Sequence, residues 1–260
     1  MNDLQRDDWN HHWDEYSADA SRNPAQEYRR EVILKLLGLR GSGAGVRLLD
    51  IGSGQGDMAA YIRAKAPSAE ILGLELSQSG VEISRKKVHD ARFVQCNLLE
   101  RARVPEDLRG WATHAICSEV IEHVDDPVPL LKNAGDYMHP DCLLVLTAPG
   151  GPMSAFDKHI GHRNHFTPSA ISELLRHAGY SPEYAGKAGF PFFNVYRWMI
   201  ILRGKKLIED VSAERNPSGS RLARFAMVIF HMLFRMNLQS SPWGWQMVAR
   251  ARFIPNTNHR

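Results

Sequence analysis

The chain has 260 residues, of which 43% are hydrophobic, enough for one sizeable core with a small appended lid. Its formal net charge of +3 is too small to predict nucleic-acid binding. No apolar run approaches the ~20 residues that span a bilayer, and no signal-peptide pattern precedes the acidic start. Cys96, Cys117 and Cys142 each lie in an apolar run, which is typical of buried, reduced cysteines. We therefore expect a cytoplasmic protein.

Strand-like runs alternate with helical patterns from residue 28 to about residue 190. This alternation predicts an α/β fold with a doubly wound, mostly parallel sheet. The predicted strands are 47–51, 71–76, 91–96, 113–118, 143–148, 184–188 and 245–253. The predicted helices are 28–39, 57–66, 80–88, 127–137 and 168–178, the last with Thr167 as its N-cap.

The first strand runs directly into a turn that contains glycine at alternate positions. Glycine lets the backbone turn tightly and approach a ligand closely, because no Cβ stands in the way. A turn at the carboxyl end of a parallel strand is where open α/β sheets bind nucleotide-like cofactors. The segment is Asp50-Ile51-Gly52-Ser53-Gly54-Gln55-Gly56, a D-x-G-x-G-x-G pattern rather than the G-x-G-x-x-G of dinucleotide-binding turns.

Acidic residues lie at the ends of the second and fourth predicted strands. Glu75 lies 19 positions after Gly56, where a carboxylate can accept hydrogen bonds from both hydroxyls of a ribose. This spacing does not distinguish among cofactors that contain adenosine. The fourth strand ends in a Glu-x-x-Glu-His pattern at Glu119, Glu122 and His123. The loop 157–166 follows the fifth strand, so its histidines reach the same edge of the sheet.

Between the last two predicted strands, residues 191–240 form an irregular, largely apolar insertion. We interpret it as a helical lid, with a membrane-surface helix pair or a homodimer contact as alternatives. The chain then divides into a helical cover over 1–40, a core over 41–190 and 241–256, and the lid over 191–240.

Together these motifs resemble a known family. The D-x-G-x-G-x-G turn resembles motif I of the class I S-adenosylmethionine (SAM) methyltransferases. The Glu-x-x-Glu-His pattern with the Glu75 position is similar to the ubiquinone-biosynthesis O-methyltransferase group, and the pattern is shared with small-RNA 3′-terminal 2′-O-methyltransferases. The likeness covers roughly residues 45–180. It implies a Rossmann-like fold with SAM as cofactor, covered by the 1–40 segment.

The resemblance also implies roles for particular residues. Asn97, where relatives commonly carry Asp, would accept a hydrogen bond from the adenine amino group, and a plain turn residue is the alternative. Arg29 or Tyr28 would hold the methionine carboxylate. The cofactor-binding residues implied are Arg29, Asp50, Gly52, Ser53, Gly54, Gly56, Glu75, Leu76, Asn97, Leu98 and Glu119.

In the same relatives the two carboxylates and the histidine bind a divalent metal such as Mg²⁺. Carried over, the metal ligands are Glu119, Glu122 and His123, with a fourth ligand at His162 or His165. The alternative is a metal-free corner in which a histidine acts as general base. The catalytic candidates are His123, His162 and His165.

The implied reaction is methyl transfer from SAM to a small-molecule acceptor, at a hydroxyl. Aromatic residues of the insertion, among them Phe192, Phe193 and Trp198, favour a partly hydrophobic acceptor. The alternatives are N- or C-methylation of a secondary metabolite or sugar, RNA 2′-O-methylation, and an NAD-linked oxidoreductase. No nucleic-acid partner is expected, because the net charge is modest and no separate RNA-binding domain is evident.

Overall fold

The computed structural model describes Trp9 and residues 24–39, 41–101, 103–212 and 221–255, without the side chains of 205–212 and 221–226. Most of the predicted cover over 1–40 and part of the 191–240 insertion lie outside these residues. The strands are β1 (Arg47–Ile51), β2 (Glu70–Glu75), β3 (Arg92–Gln95), β4 (Ala112–Ser118), β5 (Met138–Pro149), β6 (Tyr180–Ala188) and β7 (Gln246–Phe253). The helices are α1 (Pro24–Leu37), α2 (Asp57–Lys65), α3 (Gln78–Lys87), α4 (Pro127–Gly135), α5 (Ala155–His159), α6 (Pro168–His177), α7 (Phe192–Ser212) and α8 (Arg221–Phe234), with short 3₁₀ turns at Glu106–Leu108 and Ile121–His123.

The seven strands form one sheet in the order β3-β2-β1-β4-β5-β7-β6. The first five strands pair in parallel, and β7 runs antiparallel to both of its neighbours. The prediction of a doubly wound, mostly parallel seven-stranded sheet, with helices inserted before the last strand, is confirmed.

Strand β1 lies at the centre of the sheet and is covered on both faces. Leu49 and Ile51 belong to one apolar cluster, which also contains Leu131 of α4. Leu48 points to the opposite face and packs in a second cluster with Ile62 of α2. Successive side chains of a strand point to opposite faces, so a strand buried on both faces needs a continuous apolar run. This explains why the consecutive residues Leu48 and Leu49 are both apolar.

Two of the predicted strands are longer in the structure than in the sequence prediction. Strand β6 begins at Tyr180 rather than Tyr184, because its first residues pair with the end of β7 at Phe253. Pro182 lies within this strand, which is possible because β6 is at the sheet edge, and the register shifts beside it. Strand β5 likewise begins at Met138, earlier than the predicted residue 143.

The helices also differ from the prediction. Helix α1 begins at Pro24 rather than Tyr28, and proline suits the first turn of a helix because its missing N–H has no partner there. Helix α5 was not predicted. It begins with a capping box in which Ser154 and Asp157 bond each other's backbone N–H groups. The predicted cap of α6 is confirmed, since Thr167 accepts a hydrogen bond from Ala170 N.

Helices α7 and α8 pack against each other and against α1. Tyr196 contacts Phe230 and Phe234 across the helix pair, and Tyr28 of α1 contacts Phe193 and Phe234. The other side of α7 leaves apolar side chains exposed. In the described part of the chain, no helix combines the length and apolar character needed to cross a membrane.

We expect Leu144→Ala to destabilise the protein by about 2–5 kcal/mol, because Leu144 of β5 is fully buried and its truncation leaves a cavity. Urea unfolding monitored by circular dichroism measures this change. The matched control is Leu99→Ala, at a side chain that is 46% exposed, for which we expect a change within about 0.5 kcal/mol. Equal losses of unfolding free energy in the two variants would contradict the placement of Leu144 in the core.

Candidate active site

The turn after β1 depends on its glycines for both conformation and packing. Gly52, Gly54 and Gly56 all have positive φ angles, of 67°, 54° and 77°. A Cβ at Gly52 would lie 2.5 Å from Val120, and one at Gly56 would lie 2.7 Å from Ser84. Alanine at these positions would therefore be strained and would clash with neighbours. Gly52 thus lets the turn lie close to the segment that follows β4, and Gly56 lets it lie close to α3.

Glu75, at the end of β2, joins that turn to the start of α3. Its Oε2 accepts a hydrogen bond from Gly54 N at 2.8 Å, and its Oε1 accepts from Ser77 N and Ser77 Oγ at 3.0 Å each. The side chain is only 6% exposed. The carboxylate thus fixes the geometry of the turn while remaining at the carboxyl edge of the sheet. Its predicted role on the ribose stays a prediction.

Asp50 is a second carboxylate buried at this edge. Burial, with the nearby charge of Glu75, raises the pKa of Asp50 to about 7. Its Oδ2 and the Ser53 hydroxyl are both buried without a hydrogen-bond partner among the described residues. Buried polar atoms are normally paired, so these two atoms lack the partners that such groups usually have.

The region predicted for adenine has one exposed apolar wall and a turn asparagine. Leu76 is 40% exposed, whereas Leu98 is buried. Asn97 Oδ1 accepts from Leu99 N at 3.1 Å, and its Nδ2 donates to Glu100 at 2.8 Å. This geometry favours the turn role for Asn97. Its contact with adenine stays a prediction.

Glu119 begins the segment after β4 and belongs to a network with α1 and β7. Its Oε2 pairs with Arg29 Nη2 at 2.9 Å, and its Oε1 accepts from Gln246 Nε2 at 3.0 Å. Arg29 also donates to Gln246 Oε1 at 3.3 Å and to Gln26 Oε1 at 2.7 Å. Glu119 has a φ of 57°, a left-handed conformation that non-glycine residues rarely adopt. The network stabilises this backbone and ties α1 to the sheet edge.

Glu122 lies one turn further and is fully buried. Neither of its carboxylate oxygens has a hydrogen-bond partner among the described residues. Burial, followed by the neighbouring charge of Glu119, raises the pKa of Glu122 well above its usual range. One ligand atom each from Glu122, His123 and His162 lie within 4.8 Å of one another. Such a buried carboxylate needs either a proton or a cation beside it.

Histidines surround this carboxylate. The His162 ring packs edge-on against His123 with centroids 4.8 Å apart, and the Trp9 ring packs edge-on against His123 at 4.7 Å. His162 Nδ1 lies 3.3 Å from His165 Nε2, and His165 Nδ1 lies 3.0 Å from Gly151 O. Burial and the neighbouring His123 lower the pKa of His162 to about 3, and burial also lowers that of His165. Both rings are therefore neutral and able to bind a metal or accept a proton.

Asp157 of α5 lies beneath these histidines and is ion-paired with the lid. Arg197 of α7 donates to both carboxylate oxygens at 2.8 Å. Burial acts to raise the pKa of Asp157, but the Arg197 guanidinium outweighs it and lowers that pKa to about 2. The carboxylate lies 4.0 Å from His162 and 3.9 Å from His165. Asp157 therefore carries a fixed negative charge next to the histidine pair.

The structure places most of the predicted site residues at one edge of the sheet. The possible metal ligands form two groups that share His162. Among the described residues, the groups of possible ligand atoms within 4.8 Å are Glu122 with His123 and His162, and Asp157 with His162 and His165. Glu119 is in neither group, and its metal role stays a prediction. Arg29 is bonded to Glu119, so its contact with the methionine carboxylate also stays a prediction.

Sequence analysis missed Gln246, Arg197 and the structural role of Asp157. The Ser-x-x-Asp pattern at Ser154 was a signal for a helix cap and for an ordered Asp157. No local signal pointed to Gln246 or Arg197, because each reaches the site from an element distant in the chain.

The fold and this site define a class I SAM-dependent methyltransferase. Residues 21–184, more than half of the chain, match the family model of a methyltransferase domain, and the chain belongs to this family. This assignment gives no support to the alternative of an NAD-linked oxidoreductase.

Three relatives show how far the similarity extends. The chain is 26% identical over 211 residues to a ubiquinone biosynthesis O-methyltransferase of Marinobacter nauticus, covering 70% of this chain and 87% of that protein. It is 31% identical over 132 residues to an uncharacterized 37.1 kDa protein of transposon TN4556 from Streptomyces fradiae, covering 50% of this chain but only 36% of that protein. The structure of phosphoethanolamine N-methyltransferase 2 from Haemonchus contortus, in complex with SAM, matches with a TM-score of 0.57 at 17% identity, covering 88% of this chain and 52% of that one. That last likeness shows the shared fold.

We expect Glu75→Gln to weaken SAM binding at least about tenfold, because the amide places an N–H₂ group against either Gly54 N–H or Ser77 N–H. Isothermal titration calorimetry with SAM measures the change. Glu70→Gln is the matched control at the exposed opposite end of β2, and it should leave the affinity unchanged. Equal affinity in wild type and Glu75→Gln would contradict the role of this carboxylate.

The raised pKa of Asp50 predicts a pH-dependent stability. In the unfolded chain Asp ionises near pH 4, whereas in the folded protein Asp50 stays protonated up to about pH 7. Between these pH values the folded state therefore binds one proton more than the unfolded state. The stability of the wild type, compared with that of Asp50→Asn, falls as the pH rises, by up to about 1.4 kcal/mol per pH unit. Urea unfolding of both proteins from pH 4 to pH 8 measures the difference. Parallel stability curves would contradict it.

Proposed function

We propose that this methyltransferase transfers the methyl group of SAM to a hydroxyl oxygen of a partly hydrophobic small molecule, with a divalent metal beside the acceptor. The observation that carries this proposal is the buried, unpaired carboxylate of Glu122 next to His123 and His162. Supporting it, the Marinobacter nauticus relative is named as an O-methyltransferase and is matched over most of its length.

The chemistry of these side chains fits a divalent cation. Neither carboxylate oxygen of Glu122 has a hydrogen-bond partner among the described residues. His162 is neutral because burial and His123 lower its pKa to about 3. A mixed carboxylate and imidazole set suits Mg²⁺, Mn²⁺ or Fe²⁺. When bound, such a cation supplies Lewis-acid polarisation that makes an acceptor hydroxyl more acidic. Glu122, His123 and His162 would hold it.

SAM supplies a methyl group that its sulfonium already activates, so the chain needs no covalent nucleophile. The glycine turn and Glu75 would bind the adenosine part, and the buried carboxylates at the same edge favour a cationic group. The protein contributes alignment of the acceptor oxygen with the methyl group and exclusion of water. Helices α7 and α8 would supply that exclusion as a lid.

A hydroxyl acceptor must also lose its proton. His165 lies beside Asp157, which Arg197 keeps ionised despite its burial, so an imidazolium formed at His165 would be stabilised by a charge 3.9 Å away. His162 lies at 4.0 Å from the same carboxylate. We propose that His165 accepts the proton, as a general base beside the Asp157 carboxylate.

We expect wild-type protein incubated with SAM and a set of phenols and catechols to release S-adenosylhomocysteine, and expect EDTA or Glu122→Gln to abolish that release. Titration with Mn²⁺, followed by electron paramagnetic resonance, should show affinity lowered at least about tenfold in Glu122→Gln. SAM affinity should be unchanged, because Glu122 lies outside the turn that binds the nucleoside.

Glu173→Gln, on the exposed face of α6, is the control and should behave as the wild type in all three measurements. Turnover that persists in EDTA, with equal Mn²⁺ affinity in Glu122→Gln, would overturn the metal and leave His165 as the base. Release with amines but with no oxygen acceptor would overturn O-methylation itself.

A further inference from the structure

A pocket lies between the lid and the ends of β6 and β7, beside the site described above. Its volume of about 540 Å³ is within the range of small-molecule sites, roughly 300–1,000 Å³. Its six lining residues are Lys187, Phe190, Asn194, Pro242, Trp243 and Trp245.

The walls of this pocket are aromatic and held in place. Phe190 and Trp243 have ring centroids 5.4 Å apart, and Trp245 packs at 5.5 Å against Trp198 of α7. Asn194 donates to Trp243 O at 2.7 Å and accepts from Trp245 N at 3.1 Å, which fixes the backbone at both tryptophans. The Trp243 side chain is 64% exposed, so one face is open to a ligand. Such walls favour a planar, apolar molecule.

Lys187 is the only charged residue among the six that line the pocket. In the described part of the chain, its ammonium makes no ion pair or hydrogen bond. Aromatic faces alone also attract quaternary ammonium groups, but an unpaired lysine in the same lining disfavours a cation. The combination therefore favours a ligand with an apolar body and an anionic group.

The pocket is joined through backbone to the histidine cluster. Trp245 O accepts from Gly150 N at 2.8 Å, and a Cβ at Gly151 would lie 2.7 Å from the Trp245 ring. Gly151 O is the partner of His165 at 3.0 Å. The next residue after Trp245 is Gln246, which bonds Glu119. One wall of the pocket, Trp245, therefore packs on the backbone segment that also bonds His165.

We propose that this pocket binds the methyl acceptor, and that the acceptor is a planar apolar molecule carrying an anionic group, such as a carboxylate, a phosphate or a sulfonate, which pairs with Lys187. This inference rests on the proposed function and adds the substrate class and its specificity-determining residue.

Two fluorescent probes with the same aromatic body test the proposal. Anilinonaphthalene sulfonate carries an anionic group, and N-phenylnaphthylamine does not. We expect Lys187→Met to weaken the sulfonate about tenfold, as for the loss of one charge-assisted contact, and to change the neutral probe less than about twofold. Lys187→Arg should keep the affinity for both. Trp243→Ala should weaken both probes, because it removes the shared aromatic wall.

Two controls locate the binding. Lys86→Met removes an exposed charge on α3, and Leu202→Ser alters the outer side of the lid, where the side chain is 79% exposed. Neither should change the affinity for either probe. The proposal is overturned if Lys187→Met affects both probes equally or neither, or if Leu202→Ser weakens them as Trp243→Ala does.

Calorimetry with SAM, run on the same proteins, separates the two proposals. Failure of the wild type to bind SAM would reject the proposed function while leaving probe selectivity measurable. Normal SAM binding without selectivity between the probes would reject the anionic acceptor alone.

Discussion

The parallel pairing of β1 with both β2 and β4 is the constraint on which the site depends. Leu49 of β1 lies opposite Leu72 on one side and Ala115 on the other, in uninterrupted ladders. Because the three strands run in the same direction, their carboxyl ends meet at one edge of the sheet. The glycine turn, Glu75 and the segment after β4 are therefore adjacent in space although they are separated in the chain. The close fit of Gly52 against Val120 depends on this adjacency.

The consequence is an unusual density of buried carboxylates at that edge. Asp50, Glu75, Glu122 and Asp157 are all at most 6% exposed. Each is accommodated differently: Glu75 accepts hydrogen bonds from the backbone, Asp157 is paired with Arg197, and Asp50 and Glu122 have raised pKa values. Burial alone favours protonation, and only nearby donors or cations reverse that preference. An edge of this kind favours cationic ligands, which agrees with a sulfonium cofactor and with the proposed metal.

Helix α7 is the part of the lid that contacts both the histidine cluster and the aromatic pocket. Its first turns contribute Asn194 to the backbone of the two tryptophans and Arg197 to Asp157. The Arg197 pair is buried and bidentate, so separating α7 from the core would leave an unpaired charge at Asp157. The position of this helix is therefore coupled to the electrostatics of the histidine pair. Asn194 and Arg197 thus connect the first turns of α7 to both the pocket and the histidine pair.

Much of the fold and part of the site could be predicted from the sequence. The alternation of apolar runs and helical patterns predicted the sheet, because a strand covered on both faces must be continuously apolar. The turn between Asp50 and Gly56 was predictable from its glycines, because each of them has a positive φ, a conformation that glycine adopts readily. Contacts that join distant elements had no such local pattern. The early start of β6 depends on pairing with β7, and the partners of Glu119 come from α1 and from Gln246.

Local rules of backbone conformation and burial thus let the sequence alone determine the sheet, the glycine turn and the strand-end acids. Only the tertiary structure decided which of those acids are paired. Glu119 has Arg29 beside it and Glu122 has no described partner, although the two are three positions apart in one motif. The reason is physical: the state of a buried charge depends on what neighbouring elements bring to it, and that is fixed only when the chain has packed.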